Sequence, residues 1–510
     1  MLKASDRSIP RTMATQHPDN ARAPYWHHSA LVTAAEEVKE SVVSWRELGC
    51  EEVKWDWEGK LVEETVLERL FSTETQYFAQ HPLGSAHFLT FRIPHPAKEK
   101  GGRYWRALTS VATAQALVEQ LSLDRSPMME VILPMTTSAE EIIRVHQDLE
   151  ELTIYYASKF KVSTPTQPSA LQVIPLVESI EALSQYDRII EGYTDWYAHH
   201  FKQKLISFRP YIARSDPALQ SGLLAAVLVS KLALSRIHEV GRKKAVEMYP
   251  IIGVGSLPFR GGLSPITASE MEKEYQGVAT FTIQSAFRYD YDSQIVRKSI
   301  KVMNSAPFRT APQLTKEEED FLHRSIAIAS HSYQQALAPL LPLFPLVSPF
   351  IPKRRERFSS QNSVFAYDRT TQGVSLPRAI SFTAILYSIG LPPELLGMGS
   401  ALHEIAQLSK GTKFLEQLYP SLASHLQTAG HYLNKENLAQ LIKKYPSLQK
   451  VAEDIRRTEE LLGIEFEPTT SEEQQHYQLS SEIISQLFSA QTTQLVTNIE
   501  QAAKLRKSIG

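Results

Sequence analysis

From the start of the chain to about residue 287, apolar positions follow two periods in turn. Runs rich in β-branched and aromatic residues occupy 12–15, 52–57, 86–93, 129–134, 172–178, 207–213, 250–255 and 278–284. Runs of this length and make-up predict strands. Between them, apolar residues recur at spacings of three and four, as at Val62, Val66, Leu67 and Leu70. That spacing predicts helices over 34–48, 62–78, 112–120, 138–156, 180–199, 217–248 and 266–275. Eight strands, each followed by a helix, imply a parallel sheet, and eight such units suggest a closed (β/α)8 barrel. From about residue 315 the strand-like runs nearly vanish. Helical spacing then covers 316–340, 377–389, 394–408, 414–419, 435–445, 449–462 and 471–505. The expected organisation is therefore an α/β chain with a (β/α)8 TIM-type barrel over 1–310. An extensive α-helical region over 311–510 packs on it as a layer. A Pro/Arg/Ser-rich stretch, 349–373, interrupts these helices, and its length favours a functional loop.

Composition narrows the function classes. With 54 Lys+Arg against 56 Asp+Glu the formal charge is -2, which gives no bulk electrostatic reason to expect nucleic-acid binding. The single cysteine, Cys50, excludes an internal disulfide and fits a reducing, cytoplasmic setting. The first residues lack an apolar signal core. No uninterrupted apolar run reaches about 18 residues, so no membrane span is expected. The stretch that comes closest, 336–352, carries five prolines, which favour an irregular packed connection.

In this fold, catalytic groups sit at the carboxyl ends of strands. The fifth predicted strand ends on Glu178 and the sixth runs into Asp216. Two carboxylates on neighbouring strand ends make a seat for Mg²⁺, which takes a few protein oxygens and keeps room for substrate oxygens. The competing reading is that each caps the helix after its strand. The first strand is followed by His17, a candidate proton carrier or a structural histidine. The third carries Arg92. The seventh opens a Gly-rich loop with Arg260, Gly261 and Gly262. Glycines allow close backbone approach to a ligand, and a guanidinium grips phosphate or carboxylate with two prongs. The loop is not a dinucleotide fingerprint, because Pro258 takes the place of the third glycine. Lys353, Arg354, Arg355 and Arg357 form a basic knot, and Arg378 stands at a helix entry.

At these residues the chain resembles phosphoenolpyruvate carboxylase in its short, archaeal-type form. The resemblance rests on Thr15-Gln-His-Pro-Asp-Asn20, Lys54-Trp-Asp-Trp-Glu-Gly-Lys60, Pro175-Leu-Val-Glu178 and Ala213-Arg-Ser-Asp-Pro-Ala-Leu219. It continues in Tyr249-Pro-Ile-Ile-Gly-Val-Gly-Ser256, Pro258-Phe-Arg-Gly-Gly262 and Leu376-Pro-Arg-Ala-Ile380. It implies carboxylation of phosphoenolpyruvate with bicarbonate to oxaloacetate and phosphate, through carboxyphosphate and the metal-held enolate of pyruvate. It also implies Mg²⁺ (or Mn²⁺) on Glu178 and Asp216, with His17 and Arg260 as catalytic groups. Arg92, Arg378, Gly261 and Gly262 would contact substrate, and the protein would be a homotetramer. One departure stands out: the longer enzymes carry an arginine where this chain has Val254, so Arg354 or Arg355 is expected to compensate. No motif is placed in the C-terminal third. Two other readings compete: a Mg²⁺-dependent lyase or aldolase working through a pyruvate-type enolate, and a non-catalytic barrel scaffold.

Overall fold

The computed structural model describes residues 8–58, 60, 62–99, 102–120, 130–161, 170–356, 370–371 and 374–510. Eight strands form the predicted sheet: β1 (Thr12–Thr15), β2 (Glu52–Asp56), β3 (Phe88–Arg92), β4 (Glu130–Leu133), β5 (Gln172–Val177), β6 (Tyr211–Ala213), β7 (Ile251–Gly253) and β8 (Thr280–Ile283). Each pairs in parallel with the next, and β8 pairs with β1, so the barrel closes. Closure leaves no strand edge unpaired.

The register sets which side chains share the rim. β2 and β3 pair over five positions, bringing Asp56 level with Arg92. β5 and β6 pair through Leu176–Tyr211 and Val177–Ile212, so Glu178 and the turn containing Asp216 emerge side by side. Within β2, Glu52, Lys54 and Asp56 share one face because strand side chains alternate. The interior is filled in layers. At the bottom Arg209 donates to Glu52 at 2.6 Å, to Glu130 at 2.7 Å and to Thr280 at 3.2 Å. Above them Met13, Ile132, Ile174, Leu176, Tyr211, Ala213 and Ile251 form an apolar layer. Polar strand ends complete the top.

The sixth predicted strand is divided. Ser207–Phe208 pairs with Glu247–Met248 in a separate two-stranded sheet, and only Tyr211–Ala213 joins the barrel. Pro210 lacks the N–H needed to continue the ladder, and its carbonyl accepts from Ile251 N at 2.8 Å. The C-terminal helix expected over 471–505 is likewise two, Ser471–Ser489 and Leu495–Leu505, separated where Ala490 turns left-handed at φ 58°. Met129, predicted as the start of the fourth strand, lies outside the described residues.

After β6 comes the long helix Ser215–Lys244, bent at Gly222 (φ 83°, ψ 169°). The bend leaves the Leu219 carbonyl without its helical partner, and the Tyr333 hydroxyl donates to it at 3.0 Å. Tyr333 belongs to Lys316–Leu337, which lies along the bent helix. Ser215–Lys244 is also long and apolar enough to cross a bilayer, yet 89% of its apolar window is buried inside the fold. One continuous apolar cluster runs from Ala14 in β1 to Ile509 at the far end of the chain.

A Cβ at Gly222 would lie 2.8 Å from the Tyr333 side chain, in a backbone conformation that only glycine adopts freely. Gly222→Ala is expected to lose about 2 to 4 kcal/mol, from strain plus overpacking. Urea unfolding measures it, and an unchanged midpoint would show that the bend relaxes.

Candidate active site

The rim of the barrel opens into a cavity of about 430 Å³. Its lining includes His17, Lys54, Glu58, Arg92, Glu178, Asp216, Arg260, Gln284 and Arg378, with Ser348, Pro349, Ile351, Pro352 and Ile509 from the helical region. Every barrel strand named in the sequence reading, except the fourth, thus contributes a strand-end residue or its successor.

His17 follows β1. Its Nδ1 lies 3.0 Å from the Thr15 hydroxyl, which fixes the ring and leaves Nε2 for the cavity. Enclosure, followed by the charges of Lys54 and Arg92, pushes its pKa well below the ordinary value. The ring is therefore neutral near pH 7 and can accept a proton.

Glu178 and Asp216 both face the cavity. Neither acts as a cap residue: Ser179 caps the helix after β5, accepting from Ala182 N at 3.2 Å, and Asp216 lies inside the first turn of its helix. The Met135 N–H holds one Glu178 oxygen at 2.7 Å. Two hard oxygen donors on adjacent strand ends, beside open volume, fit Mg²⁺. Among the described residues no group of three or more His, Cys, Asp or Glu forms a closed cage for a metal.

The arginines are not loose. Arg92 is held by Asp56, with Nε to Oδ1 at 2.8 Å, and also pairs with Glu58. Arg260 is 1% exposed. It donates to Asp19 Oδ2 at 3.0 Å, Gln284 Oε1 at 2.6 Å and the Gly510 carbonyl at 2.7 Å. Arg355 donates to both Glu40 oxygens at 2.5 and 2.7 Å and to Glu37 at 3.2 Å. Arg354 is spent on the Asn20 carbonyl at 2.9 Å and Glu500 at 3.0 Å. Arg378 occupies the N-cap position of Ala379–Ser388. The first residues of that helix, Ala379 to Ser381, line the cavity beside it, where free N–H groups and the helix dipole favour an anion.

One expectation changes. Gly261 and Gly262 do not line the cavity. Both are buried at positive φ, and a Cβ would meet Val254 at 2.5 Å and His425 at 2.9 Å. They serve the turn that aims Arg260. Val254 is packed against Gly261, which leaves no room there for an arginine. Arg354 and Arg355 both line the cavity, as expected of a compensating cation, and carboxylates and carbonyls engage each of them. The 253–262 loop is fastened at both ends of its turn. Its Gly255 N–H bonds to the Arg260 carbonyl at 2.8 Å, and Phe259 N–H is held by the buried Glu394 at 2.8 Å. Arg357 and most of the expected loop 349–373 lie outside the described residues.

A family model described as phosphoenolpyruvate carboxylase matches residues 9–510. The chain belongs to the phosphoenolpyruvate carboxylase family. It is 33% identical over 509 residues to the phosphoenolpyruvate carboxylase of Leuconostoc mesenteroides subsp. mesenteroides, spanning 99% of this chain and 100% of that one. It is 37% identical over 520 residues to that of Metallosphaera sedula, spanning 99% and 100%. To that of Oenococcus oeni it is 34% identical over 510 residues, spanning 99% of each. The enzyme class read from the motifs, and the short archaeal-type form, follow from these full-length matches.

Sequence reasoning missed two parts of this carboxylase-family site. The 508–510 segment enters the rim, with Ile509 N–H bonded to the Asp19 carbonyl at 2.8 Å, and no local pattern announces it. Lys54 was visible only as part of a motif.

Glu37, Glu40, Arg288 and Arg355 form a buried cluster behind the cavity. Burial alone would push the Glu40 carboxyl up, but Arg355 and Arg288 outweigh it and hold it at about 2. Its stabilising contribution is complete above its ordinary value of 4.5 and is lost as the pH falls through about 2. Glu40→Gln should cost about 3 to 5 kcal/mol at pH 7. In urea unfolding, the gap from the parent chain should narrow as pH drops through that window. A gap constant with pH would remove Glu40 from the pairing.

Proposed function

We propose that this chain carboxylates phosphoenolpyruvate with bicarbonate, giving oxaloacetate and phosphate. The observation that carries the reading is a single cavity in which two adjacent strand-end carboxylates face a neutral imidazole and a set of guanidiniums. The family match across the whole chain supports the same chemistry.

Phosphoenolpyruvate brings about two negative charges on its phosphate at pH 7, and its carboxylate and bicarbonate add more. Such anions repel strongly in an enclosed site. The phosphate is assigned to Arg378 and the N-terminal turn of Ala379–Ser388, where N–H groups and a cation converge. Glu178 and Asp216 would hold Mg²⁺, or Mn²⁺ in its place, which when bound supplies Lewis-acid stabilisation of developing oxyanion charge. A bicarbonate oxygen attacks phosphorus, and the bond from phosphorus to the enol oxygen breaks. Carboxyphosphate and the enolate of pyruvate result. His17 takes the remaining carboxyl proton of carboxyphosphate on Nε2 as the C–O bond to phosphate cleaves, giving CO₂ and phosphate. The methylene carbon of the enolate then forms its new bond to CO₂. Arg260, fixed by Asp19, Gln284 and Gly510, presents positive charge beside this path without reorganising. Closing out water matters, since protonation of the same carbon yields pyruvate instead. A cytoplasmic homotetramer is the assembly we assign to it, with small-molecule substrates and neither membrane nor nucleic acid as partner.

Purified protein should release phosphate from phosphoenolpyruvate only when bicarbonate and Mg²⁺ are present, with oxaloacetate appearing in step. Turnover independent of bicarbonate would favour an aldolase or lyase instead. His17→Asn should lower oxaloacetate formation by about 10²- to 10⁴-fold while retaining bicarbonate-dependent phosphate release; unchanged oxaloacetate would remove His17 from the mechanism. Glu178→Ala and Asp216→Ala should each abolish Mn²⁺ binding detected by electron paramagnetic resonance, and retention of tight binding in either would refute the metal seat.

A further inference from the structure

The cations around the cavity divide by what already neutralises them. Arg92 faces Asp56 and Glu58, Arg260 faces Asp19, Arg354 faces Glu500, and Arg355 faces Glu37 and Glu40. Lys60, six residues after Lys54 and also buried, donates to Gln16 at 2.7 Å and Glu37 at 2.5 Å. Lys54 differs. It is fully buried and lines the cavity from within β2, and its Nζ has no hydrogen-bond partner among the described residues. The nearest aromatic face, that of Tyr211, lies 6.0 Å from Nζ, at the outer reach of a cation–π contact.

A buried ammonium with no partner is costly, so this position is expensive unless an anion from the cavity completes it. Its location says which anion. Lys54 lies within electrostatic range of both His17 and Glu178. It sits one layer below the rim, on the barrel floor formed by Tyr211 and Leu176. The helix start assigned above to phosphate, and Arg378, belong to the helical region, whereas Lys54 belongs to a barrel strand. The anion at the floor is therefore the small one.

We infer that Lys54 binds the one-carbon substrate, its ammonium donating to a bicarbonate oxygen and presenting that carboxyl unit to His17. This rests on the carboxylase reading above. It also answers the departure at Val254: the missing charge is supplied from the barrel floor, not from the basic knot at 353–357. Burial, reinforced by Arg92, pulls the Lys54 pKa to about 7 against the pull of Asp56, Glu58 and Glu178. An arriving anion would restore the full charge. The same ammonium helps keep His17 unprotonated and ready to accept.

The test compares the parent chain with Lys54→Met and Lys54→Arg. Removing an unpartnered buried charge for an apolar side chain of similar length should leave the melting temperature of Lys54→Met equal to or above that of the parent. Bicarbonate should raise the parent's melting temperature and leave that of Lys54→Met unmoved. In steady state the KM for bicarbonate should rise by about tenfold or more, the loss expected for one charge-assisted hydrogen bond. The KM for phosphoenolpyruvate should stay within about threefold. Lys54→Arg keeps the charge but displaces it, and should raise the bicarbonate constant alone. It decides the matter if Lys54→Met does not fold. A parallel rise in both constants would assign Lys54 to phosphoenolpyruvate, and no change in either would make it a spacer; each overturns the inference. A parent chain that makes no oxaloacetate would instead overturn the carboxylase reading, whatever Lys54 does.

Discussion

A guanidinium taken out of water must be surrounded by carboxylates or carbonyls, or it costs several kcal/mol, and the mouth of this barrel buries Arg92, Arg260, Arg288, Arg354 and Arg355. Each partner comes from a distant part of the chain: Asp19 holds Arg260, Glu40 holds Arg288 and Arg355, and Glu500 holds Arg354. Satisfying these charges ties the first barrel loop to the segments near 354 and 500. The cavity is the space left between these pairings.

The same requirement separates positioning from binding. Cations paired with protein carboxylates, Arg92, Arg260, Arg354 and Arg355 among them, form much of the cavity wall. In the proposed reading the ligand meets the N-terminal turn at Arg378, the two strand-end carboxylates and the Lys54 ammonium. Basic density in the sequence, as at 353–357, therefore does not identify the binding cation.

The Gly-rich loop shows how a small-residue motif can be misjudged. In isolation Gly261 and Gly262 suggest a cradle for substrate. In the fold they are needed because Val254 and His425 approach too closely for a Cβ, and because the backbone turns through positive φ. Glu394 fastens this turn through Phe259, so the loop delivers Arg260 as a fixed group.

Period and punctuation in the chain determined the eight strands, the parallel barrel, the helical C-terminal region and the rim residues His17, Glu178, Asp216, Arg92 and Arg260. These are local properties: alternation, three-and-four spacing, and the rule that chemistry follows strand ends. The break at Pro210 was also legible in principle, since proline cannot complete a ladder. Only the tertiary structure decided that Arg354 and Arg355 are spent on Glu500, Glu37 and Glu40, that the 508–510 segment locks the rim, and that Lys54 has no hydrogen-bond partner among the described residues. Those outcomes depend on pairings between residues hundreds of positions apart, and no local pattern records which charge meets which.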